Sequence, residues 1–191
     1  MQNEANKNNI SFKVISGTRN FTHQKRIWNY KWNEKYKNIP VEKRVLKILE
    51  FSAMPSTSRH HWGTDIDIYQ TNVKQPRALL LESNFHNNGA FCKLKEWMDI
   101  HAKDYGFYLV YTNLPNRKGF KYEPWHYSYK PLSFQYLKAY KKLDIAKVLK
   151  TDKLLGSDNI TKDFKYFTFT LSDHYFSVLL FSATLNLTNN G

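Results

Sequence analysis

The chain carries a single cysteine, Cys92, in 191 residues, which excludes an internal disulfide and a cysteine-rich zinc site. No apolar run approaches the roughly 18 residues that a membrane-spanning helix needs. Glycine and proline are sparse, at 7 and 6 residues, and neither an internal repeat nor a Pro/Gly/Ser-rich linker divides the chain. That favours one domain. The opening stretch, "MQNEANKNNIS", lacks the apolar segment of a signal peptide, leaving two expectations: a cytoplasmic protein, or one whose signal has been removed. Acidic residues are outnumbered, 16 against 29 Lys and Arg, giving a net charge of +13 and a pI near 9.7. So basic a surface suits nucleic acid, anionic membranes or acidic cell-surface polymers, and equally a solvated lysine-rich face.

What is present is material for a core. Hydrophobic residues make up 41% and aromatics 16%, enough for a globular domain of this length. Cys92 lies among Phe91, Leu94 and Trp97 and is expected to pack there rather than to catalyse. "FKVIS" (12–16) reads as a strand leading through Gly17 into a helix from about Thr22 to Lys37. "VEKRVLKILEF" (41–51) reads as helix, and "GTDIDIY" (63–69) alternates as a half-buried strand does. A helix is expected over about 88 to 105, ending at Gly106, before "FYLVYT" (107–112), the best strand by composition. Around 120–129 the chain should be extended, with Pro124 indicating an edge or irregular strand. The stretch after Pro131 reads as helix. "FKYFTFTLSDHYFSVLLFS" fits either a hairpin turning near Leu171–His174 or a helix. Helices and strands mix without regular βαβ units, an α+β pattern. The expected division is a domain over 1–150 and a C-terminal extension over 151–191, of unassigned role.

Three clusters carry chemistry. "SRHHWGTDIDIY" (58–69) places His60 before a strand and Asp67 inside it, with Gly63 allowing the turn between them. Catalytic zinc takes three nitrogen or oxygen ligands and keeps a position open, so the pair suits such a site, or merely orders a turn. "EPWHY" (123–127) adds His126 as a third donor and Glu123 as a carboxylate beside the metal, the arrangement metal-assisted hydrolysis uses. Taken singly, Glu123 also suits a surface ion pair and Trp125 a core anchor. "SGTRNFTHQ" (16–24) presents Arg19, with its planar fork of donors, and Gln24 early in a helix.

In this order and spacing the clusters resemble the VanY-type D-alanyl-D-alanine carboxypeptidases, of the LAS group of zinc metallopeptidases. That pattern reads S-G-x-R ahead of a helix bearing Gln, then S-x-H-x-x-G-x-x-x-D, then E-x-W-H. Here they are Ser16-Gly17-Thr18-Arg19 with Gln24, Ser58 to Asp67, and Glu123-Pro124-Trp125-His126. "WMDIHAKDYGFYLVY" (97–111) also looks like the family's helix-into-strand segment, and the likeness spans roughly residues 11 to 140. The resemblance implies an α+β, LAS/hedgehog-like fold: a small antiparallel sheet carries the zinc site and helices pack around it.

By position, His60, Asp67 and His126 would bind one zinc ion, and Glu123 would be general base to a zinc-bound water. Arg19 would contact substrate near the scissile bond, gripping either the terminal carboxylate or the carbonyl under attack, where with zinc it would stabilise the oxyanion. Gln24 and Ser58 are implied as further substrate contacts, and Trp125 as a wall beside the metal that orients His126. The family often has Ala where this chain has Asp65. On a strand Asp65 points to the same face as Asp67, so it would orient a ligand histidine or compete as a ligand. His61 reads as a neighbour.

The implied reaction is release of terminal D-alanine from peptidoglycan stem peptides, in the periplasmic or extracellular cell envelope. The implied protein is a monomer without a transmembrane segment or a nucleic-acid partner. A same-fold alternative is an endopeptidase of the L-alanyl-D-glutamate type, with loops around 70–90 and 113–120 setting pocket closure. From another class comes a non-catalytic basic module binding an anionic polymer. An open three-ligand set with a candidate base argues against it, because structural zinc has four protein ligands.

Overall fold

The computed structural model describes residues 1–117, 119–145, 147, 149 and 154–157. A short helix α1 (Gln2–Lys7) precedes strand β1 (Phe12–Ser16). Helix α2 (Phe21–Tyr30) starts where the Asn20 side chain accepts the backbone N–H of His23, an N-cap that occupies one of the free donors of a first turn. It runs on into a π-helical turn, Lys31–Lys35, closed by the Tyr36 N–H on the Lys31 carbonyl. Helix α3 (Val41–Leu49) follows, then a 3-10 turn (Arg59–Trp62) and strand β2 (Asp65–Gln70). Helix α4 (Cys92–His101) leads through a second 3-10 turn to Gly106 and strand β3 (Phe107–Leu109). Strand β4 (His126–Tyr129) runs directly into helix α5 (Lys130–Tyr140).

The strands form one antiparallel sheet in the order β1-β2-β4-β3. Alternation gives it two unlike faces. Ile68 and Tyr127 point to one side and pack with Phe12 against Leu94, Trp97 and Met98 of α4 and Ala5 of α1. On the other side lie Asp65 and Asp67 of β2 with their register partners Ser128 and His126 of β4, all buried. A second core, around Trp28, Trp32, Ile48, Leu49 and Met54, joins α2 to α3. Leu154 joins that core and the Trp28 indole N–H donates to the Leu155 carbonyl at 2.9 Å, so contacts cross the position 150 boundary. The rest of 151–191, including the alternative hairpin or helix near 171–174, lies outside the described residues.

Four local expectations need correcting. Pro124 occupies the turn before β4, closed by the His126 N–H on the Glu123 carbonyl at 3.1 Å. It removes no ladder hydrogen bond, and β4 is an inner strand rather than an edge. The strand composed of "FYLVYT" ends at Leu109, because Val110 and Tyr111 turn into the helical core. Helix α4 begins at Cys92, not near 88. The preceding residues are held in a loop by the Phe91 N–H on the Asn84 carbonyl and by Phe85 packed on Phe91, ring centroids 5.2 Å apart. Cys92 itself is half-buried at the helix start, its thiol 3.5 Å from Glu96 rather than in the core.

Candidate metal centre

The polar face of the sheet brings two of the three predicted donors side by side. Asp67 and His126 are register partners on β2 and β4, and Nδ1 of His126 lies 3.0 Å from Oδ1 of Asp67. His60 enters from the 3-10 turn, its Nε2 3.2 Å from Oδ2 of Asp67 and its ring edge-on to that of His126 at 4.8 Å. One donor atom from each of the three lies within 4.8 Å of the others, and all three residues are buried. Gly63 makes this possible. At φ +73° it ends the 3-10 turn in the left-handed region, and a Cβ there would press to 3.4 Å on the Thr18 hydroxyl.

The tautomer of His60 follows from its neighbour. Its Nδ1 lies 2.8 Å from the Gly17 carbonyl, which can only accept, so Nδ1 carries the proton and Nε2 presents a lone pair to the cluster. Nε2 of His60 and Oδ1 of Asp67 are both buried without a hydrogen-bond partner among the described residues: the close approaches are misaligned for hydrogen bonding. Buried acceptors are ordinarily satisfied, and two such groups converging on one point fit a cation. The donor set, two imidazole nitrogens and a carboxylate, is one zinc accepts.

The opposite edge of His126 is occupied differently. Nε2 of His126 lies 2.8 Å from Oδ2 of Asp65, which also accepts from Nε of Arg59 at 2.8 Å. Oδ1 of Asp65 accepts from Ser128 at 2.6 Å and Thr64 at 2.9 Å. Arg59, buried too, donates further to Tyr108 and Ser128 and lies over the Trp62 ring. Asp65 is therefore fully engaged behind His126, with an arginine partner that the sequence reading had not assigned. The available signal was an arginine within the same twelve-residue stretch as the surplus aspartate.

Glu123 is buried, its carboxylate 3.5 Å from Nδ1 of His126. Burial pushes its carboxyl up to about 8, against the pull of His126 and, further off, of Lys31 and Arg19. Burial also pulls His126 down, but the flanking carboxylates of Asp65 and Asp67 outweigh this and lift it to about 10. Burial alone would raise Asp65 and Asp67; instead Arg59 and His126 hold the first, and His126 and His60 the second, below the usual carboxylate range. Burial lowers His60.

His60, Asp67, Glu123 and His126 open on one cavity of about 470 Å³, whereas Asp65 and Arg59 do not line it. Arg19 reaches it with Nη2 3.8 Å from Asp67, and its Nε is buried without a hydrogen-bond partner among the described residues. Gln24 lines the cavity, yet both ends of its amide are taken: it accepts from Nη1 of Arg19 at 3.1 Å and donates to the Ala53 carbonyl at 2.7 Å. Ser58 and Trp125 also line it, Trp125 packing on Phe85 at 5.7 Å while Tyr111 stacks on His126 at 4.6 Å. His61 points away from the cluster. Its Nδ1 lies 2.6 Å from the Arg19 carbonyl and its Nε2 accepts from the Ser56 N–H, so it braces the loop that carries Arg19. Of the two loops expected to shape the cavity, 70–90 contributes Leu80, Leu81 and Glu82, and 113–120 contributes Phe120.

Comparison with known proteins agrees with this geometry. The family model described as VanY, D-alanyl-D-alanine carboxypeptidase, matches residues 1–132. An uncharacterized protein of Haemophilus influenzae is 30% identical over 105 residues, which is 54% of this chain and 80% of that protein. The crystal structure of the vancomycin resistance D,D-pentapeptidase VanY from a VanB-type resistance cassette, a mutant in complex with Zn(II), is 25% identical. It superposes with a TM-score of 0.52 over 67% of this chain and 65%, just under two thirds, of its own. VanYB in complex with D-alanine-D-alanine shares the fold at 23% identity, with a TM-score of 0.54 over 80% of this chain and 77% of its own. No helix among the described residues is long and apolar enough to cross a membrane.

Proposed function

Since the chain belongs to the VanY D-alanyl-D-alanine carboxypeptidase family, we propose that it is a zinc-dependent peptidase hydrolysing peptidoglycan stem peptides, releasing the terminal D-alanine. The observation that carries this reading is one cavity holding the converging donors of His60, Asp67 and His126 beside a buried carboxylate, Glu123, and a half-buried arginine, Arg19.

His60, Asp67 and His126 would hold the ion, and Asp65 fixes the His126 ring from behind. Zinc, when bound, supplies a Lewis acid that polarises the scissile carbonyl and makes water acidic near neutral pH. Glu123 is the proton carrier. Its buried carboxylate takes the proton of the attacking water and returns it to the leaving amine, and burial suits it to holding that proton between the two transfers. Arg19, braced by Gln24, turns its guanidinium toward the oxygen on which negative charge develops. Ser58 and Trp125 form part of the cavity wall along which the peptide lies. Such a substrate places the site of action in the cell envelope.

The test is metal content followed by product. One zinc per chain by mass spectrometry and free D-alanine from a stem pentapeptide are expected. Glu123→Gln should keep the zinc and lower kcat about a hundred- to ten-thousandfold. Undiminished turnover in that variant removes Glu123 from the mechanism. Fragments cut inside the stem, without free D-alanine, identify an endopeptidase instead.

A further inference from the structure

One cation in the cavity has no task in the chemistry above. Lys31 opens the π-helical turn, and the face formed by Gln24, Ile27, Lys31 and Lys35 lines the same cavity as the donor cluster. Its ammonium makes no hydrogen bond or ion pair among the described residues. Arg19, by contrast, is held by Gln24 and drawn toward Asp67. Lys31 nonetheless lies within electrostatic reach of Glu123 and acts on that carboxylate more strongly than Arg19 does. A lysine half-buried in a cavity without an anion of its own is an unfavourable arrangement unless an anion arrives.

The chemistry of the reaction says which anion. The group that returns a proton to the leaving amine must sit beside that nitrogen. In a carboxypeptidase substrate the terminal carboxylate is two bonds from the same nitrogen, so it comes to rest close to the proton carrier. A cation lining the same cavity as Glu123 is therefore in a position to meet a substrate carboxylate. We propose that Lys31, seconded by Lys35 on the same face, receives a carboxylate of the peptide and so selects chains that carry one next to the scissile bond. This inference rests on the peptidase reading and deepens it. It divides two half-buried cations between two oxygens, Arg19 at the carbonyl and Lys31 at the carboxylate. Burial and the neighbouring Lys35 pull the ammonium down to about 8, and an incoming carboxylate would reverse that.

The experiment compares binding of the intact zinc-loaded protein, by calorimetry at low temperature, to three probes. These are diacetyl-L-lysyl-D-alanyl-D-alanine as free acid, the same peptide as its C-terminal amide, and an amidated stem pentapeptide retaining its internal acidic residue. The wild type should favour the acid over the amide by about ten- to a hundredfold, the range of a charge-assisted hydrogen bond. Lys31→Met should bring that ratio close to one while keeping zinc content and melting temperature, and Lys31→Arg should restore most of it. If Lys31→Met weakens only the amidated pentapeptide, the carboxylate is the one inside the stem, which sustains the proposal with the other source. A Lys31→Met protein that still prefers the acid as the wild type does, or a wild type indifferent to both carboxylates, overturns it. Turnover is scored separately. A protein that cleaves nothing but loses its acid preference with Lys31 contradicts the peptidase while leaving the carboxylate site standing.

Discussion

The two edges of the His126 ring have unlike surroundings. Behind Nε2, Asp65 accepts from Arg59, Ser128 and Thr64, and Arg59 continues to Tyr108, so both carboxylate oxygens there have protein partners. In front of Nδ1, His60 Nε2, Asp67 Oδ1 and Arg19 Nε are buried without a partner among the described residues. Both regions are polar, both are buried, and both are built from the same pair of inner strands. The difference is closure. A buried network whose members satisfy one another fixes a geometry, whereas one with converging unmet acceptors marks where something from outside must enter.

Breaking the closed side should produce the largest effect on the fold. Arg59→Met leaves Asp65 without its guanidinium in a buried setting, and loss of one partner of such a pair costs about 3–5 kcal/mol. The expected result is a lowered urea midpoint in the zinc-free protein, largely restored in the double variant Arg59→Met/Asp65→Asn. An unchanged midpoint in the single variant would mean that the network contributes nothing to stability.

A smaller change at the same place should be felt on the open side. Asp65→Asn keeps the shape but weakens the hold on His126, and zinc affinity should fall about ten- to a hundredfold, as for other partners behind a ligand histidine. Competition with a chromogenic chelator reads this directly. Equal affinity would assign Asp65 to the fold alone.

The mildest probe is pH. In the zinc-free protein Asp65 and Asp67 lie below their ordinary 3.8, so their contribution is complete above that value and is lost as pH falls through the depressed range. His126 lies above its ordinary 6.5, at about 10, so its contribution is complete below 6.5 and fades as pH rises toward 10. Glu123, raised to about 8, adds to the loss on the alkaline side because the buried carboxyl resists ionising. Glu123's loss begins at its ordinary 4.5, so urea midpoints should peak near pH 4 to 4.5 and decline from there toward pH 10. A curve still rising between pH 7 and 9 would contradict the proton on His126.

Much of the open side was legible in the sequence. Three short motifs in order named His60, Asp67, Glu123, His126 and Arg19, and the structure brings all five to one cavity. The reason is local. Alternation in "GTDIDIY" fixes which residues share a face, and the turn at Gly63 fixes where His60 enters. The closed side was half legible. Asp65 stood out as a surplus carboxylate, but Arg59 is one of 29 basic residues, and nothing in a single sequence separates a buried arginine from a solvated one. Lys31 escaped notice for the same reason. The strand order was less legible still, since the proline that suggested an edge lies one residue outside the pairing that would have excluded it.

The placement of the donors on β2 and β4 has a consequence for how such a protein can diverge. The proposed ligands stand on the two inner strands or against them, while Leu80, Leu81 and Glu82 reach the cavity from the connection over 71–91, and Phe120 from the one before β4. Insertions, deletions and exchanges in those connections alter the walls without disturbing a single donor. Changes to peptide preference can therefore come from those connections alone, with the proposed donors left where the sheet puts them.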